Sequence, residues 1–405
     1  MLSYPPHLVR HYIEDFSLNE QAVLLDPFCG TGTTLVESKL QGIRSLGTEA
    51  NPFAHFATSV KTDWNVDPDL LYRHSCDIAE LALGILRQQG IEDSAPFEGE
   101  IADLPLRQLS LEQHQLILSG SISPIPLHKV LVLLECLEKY KIEQVYRHQL
   151  LAIAHILVFA VSNLRFGPEV GVGKPKVDTP VISAWLAKMG EMVADLQQVR
   201  NQDDAPAHVH LADARCLDTI LPPQSVDAVI TSPPYPNEKD YTRTTRLESV
   251  VLGFIKTKAD LQALKRGLIR SNSRNVYKAD NDDQWIQDYP AIQSIADEIE
   301  RRRIELGKTS GFEKLYGRVT KLYFGGMARH LAALRSVLRP NAQLAYVVGD
   351  QASYLRVMIR TGQLLVDIAE ALGYEFVRTD LFRTRFASAT KEQLREEVII
   401  LRWKG

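Results

Sequence analysis

The sequence predicts an α/β fold built on one open sheet. Short runs rich in β-branched residues end at glycine, proline or acidic residues and alternate with helical stretches, which favours α/β architecture. Seven such runs occur, enough for one sheet: residues 22–25, 45–48, 209–211, 228–231, 344–348, 375–378 and 397–401.

Two segments interrupt this alternation. The first, residues 53–205, is predicted to be mostly helical. Apolar residues recur there at helical spacing in 73–89, 127–140, 146–164 and 181–199. The second, residues 237–318, is polar and charged, and it contains a basic run from Lys265 to Lys278.

Residues 163–180 are rich in glycine and proline and carry Arg165, Lys174 and Lys176. One interpretation is a helix end followed by a rigid connection. The other is a loop that contacts phosphate, and the sequence leaves both open.

Composition indicates a soluble globular protein and limits its partners. The chain has 405 residues, of which 45% are hydrophobic and 24% charged, and a formal net charge of −4. It is therefore not a bulk polycation, and any surface for nucleic acid must be a local patch. The length allows one large domain with an insertion, or two domains.

The cysteines and the apolar runs predict a cytoplasmic protein. Cys29, Cys76, Cys136 and Cys216 are far apart and form no CxxC pair, which predicts reduced thiols and neither disulfides nor a metal site. The first residues lack the apolar core of a signal peptide. The longest apolar run, 150–161, is too short to span a bilayer and predicts a buried helix.

The first chemical motif is DPFCGTGTT at residues 26–34, a strand that enters a glycine turn and then a helix. Gly30 and Gly32 allow tight turning and close approach of a ligand to the backbone. The pattern is neither a P-loop nor a full GxGxxG, because no Gly-Lys-Ser/Thr and no third glycine follow. Asp26 precedes the turn, where its carboxylate could accept a hydrogen bond from a cationic amino group.

Glu49 ends the next predicted strand. An acid at about this distance after a glycine turn holds a ribose diol in dinucleotide folds. The alternative is an ordinary exposed acid at a strand end; beside the glycine turn, we favour the ribose contact.

The second chemical motif is TSPPY at residues 231–235, where an apolar strand stops at two prolines. The stiff turn presents the Ser232 hydroxyl, the Pro233 carbonyl and the Tyr235 ring together. This set suits a planar heterocycle that bears an amino group, with the ring on Tyr235 and the amine donating to Ser232 and Pro233. A simple turn or a docking peptide is the alternative, and a buried strand before the prolines disfavours it.

DPFCGTGTT and TSPPY resemble the cofactor and catalytic motifs of the amino-methyltransferases that modify DNA at cytosine N4 or adenine N6. The Ser-Pro-Pro-Tyr form is similar to the cytosine-N4 branch. The resemblance covers residues 1–60 and 205–405 and implies a Rossmann-like S-adenosylmethionine-dependent methyltransferase fold. Its sheet is expected to have seven strands, with the last one antiparallel.

The resemblance also implies the site residues. Tyr4, Pro6 and His7 would close over the methionine part of S-adenosylmethionine, and Asp213 and Ala214 would hold its adenine. The full set expected to bind the cofactor is Tyr4, Pro6, His7, Asp26, Pro27, Phe28, Cys29, Gly30, Gly32, Thr33, Thr34, Glu49, Ala50, Asp213 and Ala214. The expected catalytic residues are Ser232, Pro233, Pro234 and Tyr235.

The order of motifs resembles a circular permutation, since many relatives place the catalytic motif first. We therefore assign 1–60 and 205–405 to a catalytic domain and the helical insertion 61–204 to target recognition, by position alone. Segment 237–318 is a candidate DNA contact, and a solvated surface is the alternative. Its candidate residues are Tyr241, Arg243, Lys265, Arg266, Arg270 and Arg274.

The resemblance implies direct methyl transfer to a base flipped out of double-stranded DNA, with a restriction endonuclease as a possible partner. Covalent catalysis is disfavoured because no Pro-Cys dipeptide occurs. The alternatives are adenine-N6 methylation, guanine-N2 methylation of RNA, and a regulator that binds cofactor and DNA without catalysis. Ser232 in place of an acid and the short segment before Asp26 count against the RNA enzyme.

Overall fold

A computed structural model describes residues 4–99, 104–167, 169–200, 202, 205–237, 239–387 and 392–405. All seven predicted strands are present, together with a small hairpin inside the stretch 163–180. The strands are β1 (Val23–Asp26), β2 (Arg44–Glu49), β3 (Leu164–Phe166), β4 (Val170–Val172), β5 (Ala207–Leu211), β6 (Val226–Thr231), β7 (Leu338–Gly349), β8 (Tyr374–Ala387) and β9 (Glu392–Trp403).

The main sheet has the order β5-β2-β1-β6-β7-β9-β8. Neighbours from β5 to β7 pair in parallel, whereas β9 is antiparallel to both β7 and β8. This confirms the predicted seven-stranded mixed sheet with an antiparallel last strand. Because β1 and β6 are adjacent and parallel, the segments that follow them leave the sheet side by side.

The helices are α1 (Pro6–Asp15), α2 (Thr33–Leu40), α3 (Pro52–Lys61), α4 (Pro68–Gln88), α5 (Leu111–Leu116), α6 (Pro124–Lys139), α7 (Glu143–Ile156), α8 (Ile182–Val199), α9 (Tyr241–Thr244), α10 (Arg246–Val251), α11 (Lys258–Gly267), α12 (Pro290–Glu305), α13 (Tyr316–Leu334) and α14 (Thr361–Ala371). Several begin with proline at the first helical turn, where its missing N–H costs nothing.

The central strands β1, β6 and β7 are buried on both faces of the main sheet, as expected for parallel strands. Alternate residues of β1 illustrate this, since Leu24 packs with α1 and Leu25 packs with α13 and α14. The fold thus covers the sheet with helices on two sides and leaves the carboxyl ends of its strands to the connecting segments.

The chain forms two compact units. The first contains residues 1–62, 204–240 and 263–405 and includes the main sheet. The second contains residues 63–203 and 241–262 and is mostly helical. Residues 241–262 therefore cluster with the helical unit, whereas the sequence interpretation had placed them with the sheet.

The apolar run that includes residues 150–161 lies in the second unit. The helical stretch Glu143–Val161 is long and apolar enough to cross a membrane by composition alone, but 56% of its most apolar window is buried inside the protein. It comprises α7 and a π-helical turn over Leu157–Val161, and it ends before the predicted end at residue 164 because Leu164 begins β3.

Candidate active site

The two motifs meet where β1 and β6 end. The Thr231 hydroxyl, last in β6, donates a 2.6 Å hydrogen bond to the Asp26 carboxylate, last in β1. The segments DPFCGTGTT and TSPPY therefore start next to each other at the carboxyl edge of the sheet. This is the edge where open α/β sheets bind ligands.

Asp26 holds this junction together. Its second carboxylate oxygen accepts hydrogen bonds from the Thr34 hydroxyl and, at 3.4 Å, from the Tyr4 hydroxyl. Its first oxygen also accepts from the Phe28 amide at 3.1 Å. Burial raises the pKa of Asp26 to about 6, against the lowering effect of these hydrogen bonds.

The sequence interpretation gave Asp26 a direct contact with the cofactor's amino group. The structure differs, because Asp26 is 1% exposed and its oxygens accept hydrogen bonds from donors of the protein. Asp26 thus joins β1, β6 and α2, and it offers no free oxygen to a ligand.

The two glycines of the turn, Gly30 and Gly32, differ in the space around them. Gly32 has φ +88°, and a Cβ there would lie 2.8 Å from Thr58 Cγ2. Gly30 has φ +53°, and a Cβ there would meet no atom within 4 Å. Gly32 is therefore required by the packing of the turn, whereas Gly30 borders open space.

Threonines fix the backbone of the turn. The Thr58 hydroxyl donates to the Gly30 carbonyl at 2.8 Å, and the Thr48 hydroxyl donates to the Pro27 carbonyl at 2.7 Å. The buried Cys29 donates its amide to the Thr48 carbonyl at 3.1 Å. Burial raises the pKa of the Cys29 thiol, so this residue is a packing group rather than a thiolate nucleophile.

Glu49 lies beside the open space at Gly30. Its carboxylate accepts from the Gly30 amide at 2.9 Å and from the Asn51 amide at 2.8 Å, and its side chain stays partly exposed. Burial raises the pKa of Glu49 to about 7. An acid at a strand end, next to a glycine that leaves room for a ligand, fits a nucleoside cofactor with a ribose diol.

Asp213 follows β5 and has a partner that the sequence did not reveal. Both of its carboxylate oxygens accept from the Arg215 guanidinium, at 2.6 Å for the shortest bond. Arg215 also pairs with Asp282, and its side chain is 7% exposed. The Asp213 side chain keeps 24% exposure, so it can still face a ligand while Arg215 fixes its direction.

The segment before the glycine turn is only partly joined to it. Tyr4 is half-buried, and its hydroxyl contacts the Thr34 hydroxyl as well as Asp26. Pro6 and His7 are exposed at the start of α1, with the His7 ring 6.2 Å from that of Phe382. Of these three residues, the structure thus brings Tyr4 to the turn.

The expected catalytic loop presents a hydroxyl and a ring. The Ser232 hydroxyl donates to the Val347 carbonyl at 3.3 Å, which leaves its oxygen lone pairs able to accept. The Tyr235 ring lies over Gly349 at the end of β7, where a Cβ would be 3.1 Å from Tyr235 Cε2. Pro233 is buried, and Pro234 and Tyr235 are partly exposed.

Two members of the basic run are held inside the protein, which corrects the sequence interpretation. Arg270 is 3% exposed, and its guanidinium forms two 2.8 Å bonds with Asp280. Lys265 pairs with the buried Asp240 at 3.2 Å, with 13% of its side chain exposed. Arg270 is therefore a structural cation and cannot reach a DNA phosphate in this conformation.

Arg266 and Arg274 are exposed, with their guanidinium groups over the rings of Tyr277 and Phe312. In the second unit, Arg243 pairs with Glu169 at 3.5 Å, and Tyr241 begins α9. Exposure at Arg266 and Arg274 is compatible with the predicted phosphate contacts.

The chain is similar to one protein family and to two type II methyltransferases. A family model described as DNA methylase matches residues 2–58. The type II methyltransferase M.BsoBI of Geobacillus stearothermophilus is 24% identical, over 96% of this chain and 80% of that protein. The type II methyltransferase M.AvaI of Nostoc sp. (strain PCC 7120) is 25% identical, over 91% of this chain and 76% of that protein.

Solved structures with a detectable likeness include TrmN from Thermus thermophilus and the rRNA methyltransferase aviRa from Streptomyces viridochromogenes. TrmN has a TM-score of 0.31 and 11% identity, over 98% of this chain and 48% of its own. AviRa has a TM-score of 0.34 and 9% identity, over 99% of this chain and 86% of its own.

Proposed function

We propose that this chain, a member of the DNA amino-methyltransferase family, transfers a methyl group from S-adenosylmethionine to the N4 amine of cytosine in DNA. The family match covers residues 2–58, which include DPFCGTGTT, and it supports both the resemblance and S-adenosylmethionine as the cofactor. The observation that carries the proposal is the Thr231–Asp26 hydrogen bond of 2.6 Å, which places the two motifs side by side.

The cofactor side of the proposed site lies around the glycine turn. S-adenosylmethionine, when bound, supplies an electrophilic methyl group. Glu49 would accept hydrogen bonds from the ribose hydroxyls, and the space at Gly30 would admit the nucleoside. Asp213, fixed by Arg215, would accept a hydrogen bond from the adenine amine.

The base side of the proposed site lies on the catalytic loop. Ser232 donates its only proton to the Val347 carbonyl, so its oxygen would accept an N–H of the target amine. The Pro233 carbonyl would accept the other N–H, and Tyr235, backed by Gly349, would stack on the base. Accepting hydrogen bonds from both N–H groups increases the electron density on the amine nitrogen. Without them this nitrogen is a weak nucleophile, because its lone pair is conjugated with the ring.

Alignment accounts for most of the catalysis in this proposal. Holding amine and methyl group in line contributes on the order of 7–11 kcal/mol. Flipping the base costs about a few kcal/mol, and stacking on an aromatic ring returns about 1–3 kcal/mol. The methylated amine then loses its proton to water, so no strong base is needed.

Three other assignments are compatible with parts of the site: adenine N6, guanine N2 in RNA, and a regulator without catalysis. Ser232 at the first position of the loop favours cytosine, by resemblance to that branch. The type II designation of both relatives supports a place in a restriction–modification system, with a restriction endonuclease as the proposed partner. The proposed cytoplasmic location follows from the spacing of the four cysteines.

The test is methyl transfer from labelled cofactor to DNA and to RNA, followed by mass spectrometry of the nucleosides. We expect N4-methylcytosine from DNA and no labelled RNA. Ser232→Ala should reduce turnover with little change in cofactor affinity, and Tyr235→Phe should retain far more activity than Tyr235→Ala. N6-methyladenine as the only product would show that the target base is adenine rather than cytosine. A covalent complex with 5-fluorocytosine DNA would refute direct transfer.

A further inference from the structure

A fully buried histidine lies beneath the proposed cofactor site. His330 is in α13 and is 0% exposed. Its Nδ1 lies 2.8 Å from the Ala214 carbonyl oxygen, and its Nε2 lies 2.6 Å from the Tyr346 hydroxyl. Its ring also meets the Phe28 ring edge to face, with centroids 4.8 Å apart.

The chemistry of these partners fixes the form of the imidazole. A carbonyl oxygen only accepts, so Nδ1 must carry the proton and donate to Ala214. In the neutral ring Nε2 then accepts from the Tyr346 hydroxyl. Burial lowers the pKa of His330 to about 4, so the ring stays neutral at physiological pH.

His330 contacts two segments of the proposed cofactor site, the glycine turn after β1 and the segment after β5. Phe28 belongs to the glycine turn after β1 and is partly exposed, whereas Ala214 follows Asp213 after β5. Tyr346 is the register partner of Thr231, the residue before Ser232. One ring therefore contacts two segments of the cofactor site and the strand beside the catalytic loop.

We propose that His330 is a positioning residue for the cofactor pocket, which holds the Ala214 carbonyl and the Phe28 ring in the geometry that receives the adenosine part of the cofactor. The inference rests on the proposed function. It extends the site beyond its surface residues, because His330 touches no ligand and acts through Phe28 and Ala214.

The test compares two substitutions at one position. His330→Leu keeps an apolar side chain of similar bulk but removes both ring nitrogens. His330→Asn retains an N–H donor the same number of bonds from Cα as Nδ1, and so it can still donate to Ala214. We expect the Kd for S-adenosylmethionine, measured by calorimetry, to rise about tenfold in His330→Leu and to recover largely in His330→Asn. The KM for DNA at saturating cofactor should change little in either variant.

Tyr346→Phe is the second variant, for use even if His330→Leu does not fold. It removes only the hydroxyl that donates a hydrogen bond to Nε2. It should therefore weaken cofactor binding by a smaller factor than His330→Leu does. Nitrogen NMR of the wild-type protein without cofactor should show His330 neutral with the proton on Nδ1. A proton on Nε2 would overturn the proposal, as would an unchanged cofactor Kd in the folded variants or equal losses in His330→Leu and His330→Asn. Failure of the wild-type protein to bind S-adenosylmethionine would instead refute the proposed function.

Discussion

Glu49 combines two tasks in one carboxylate. It orders the glycine turn through the Gly30 and Asn51 amides, and it is proposed to bind ribose. Glu49→Ala should therefore weaken S-adenosylmethionine binding by about 1.5–3 kcal/mol, the range for hydrogen bonds to a charged group. Calorimetry with the exposed Glu20→Ala as control measures this, and equal affinities for the two variants would remove Glu49 from the site.

Arg270 shows why a basic run in a sequence does not define a nucleic-acid surface. Its guanidinium is buried against Asp280, so Arg270→Ala leaves the largely buried Asp280 carboxylate without this cation, although the Tyr277 amide still donates to it. We expect the free energy of unfolding, measured in urea, to fall by about 3–5 kcal/mol.

Arg274 provides the matched control for Arg270, because it belongs to the same run but is exposed. Arg274→Ala should change stability by less than about 0.5 kcal/mol. It should reduce the slope of DNA affinity against salt by about 1 if it contacts a phosphate. Unchanged stability in Arg270→Ala, together with a reduced slope of DNA affinity against salt, would show that Arg270 contacts DNA after all.

At the scale of elements, the end of β7 supports the catalytic loop. Gly349→Ala would place a methyl group 3.1 Å from Tyr235 Cε2 and 3.3 Å from Glu396 Cγ, so the ring must shift. We expect lower turnover with unchanged cofactor affinity, because the change lies on the base side of the site. Methyl-transfer kinetics and calorimetry check this, with Gly311→Ala as a control for glycine replacement, because Gly311 is exposed and a Cβ there would meet no atom within 4 Å. Full turnover in Gly349→Ala would mean that the ring position does not matter.

The existence of the strands was predictable where a short apolar run is closed by a residue that stops it, as in β1, whereas β7, β8 and β9 extend well beyond their predicted ranges. The antiparallel direction of the last strand was accessible only through the family resemblance. Contacts between distant segments were not predictable, such as His330 with Ala214, since nothing local in either segment indicates the other. The burial of Arg270 was missed for a different reason: its partner Asp280 is close in sequence, but a loop's fold decides whether the pair faces inward.

At the scale of the whole molecule, raised carboxyl pKa values make stability depend on pH. The pKa is about 6 for Asp26, about 7 for Glu49 and about 7 for Glu248, all above ordinary values because of burial. The folded state therefore binds more protons than the unfolded state between about pH 4 and 7, and these groups lower stability as pH rises through that window. His330, with its lowered pKa, acts in the opposite direction below about pH 6.5.

Glu49→Gln isolates one of these groups, because an amide does not titrate. The free energy of unfolding of the wild type relative to Glu49→Gln should fall by about 1–3 kcal/mol from pH 5 to pH 8, since one pKa unit corresponds to about 1.4 kcal/mol. Urea unfolding without cofactor at the two pH values gives the difference. A constant difference would contradict the raised pKa of Glu49.

The position of β9 has a consequence for synthesis on the ribosome. This strand follows β8 in the chain, yet it lies between β7 and β8 in the sheet. Until residues 392–403 leave the exit tunnel, β7 has a bare edge, and β8 has no partner in the sheet. A nascent chain that pauses there exposes apolar strands that chaperones recognise and that aggregate readily. The half of the sheet behind the catalytic loop, which contains β7, β9 and β8, can therefore form only after β9 has been synthesised.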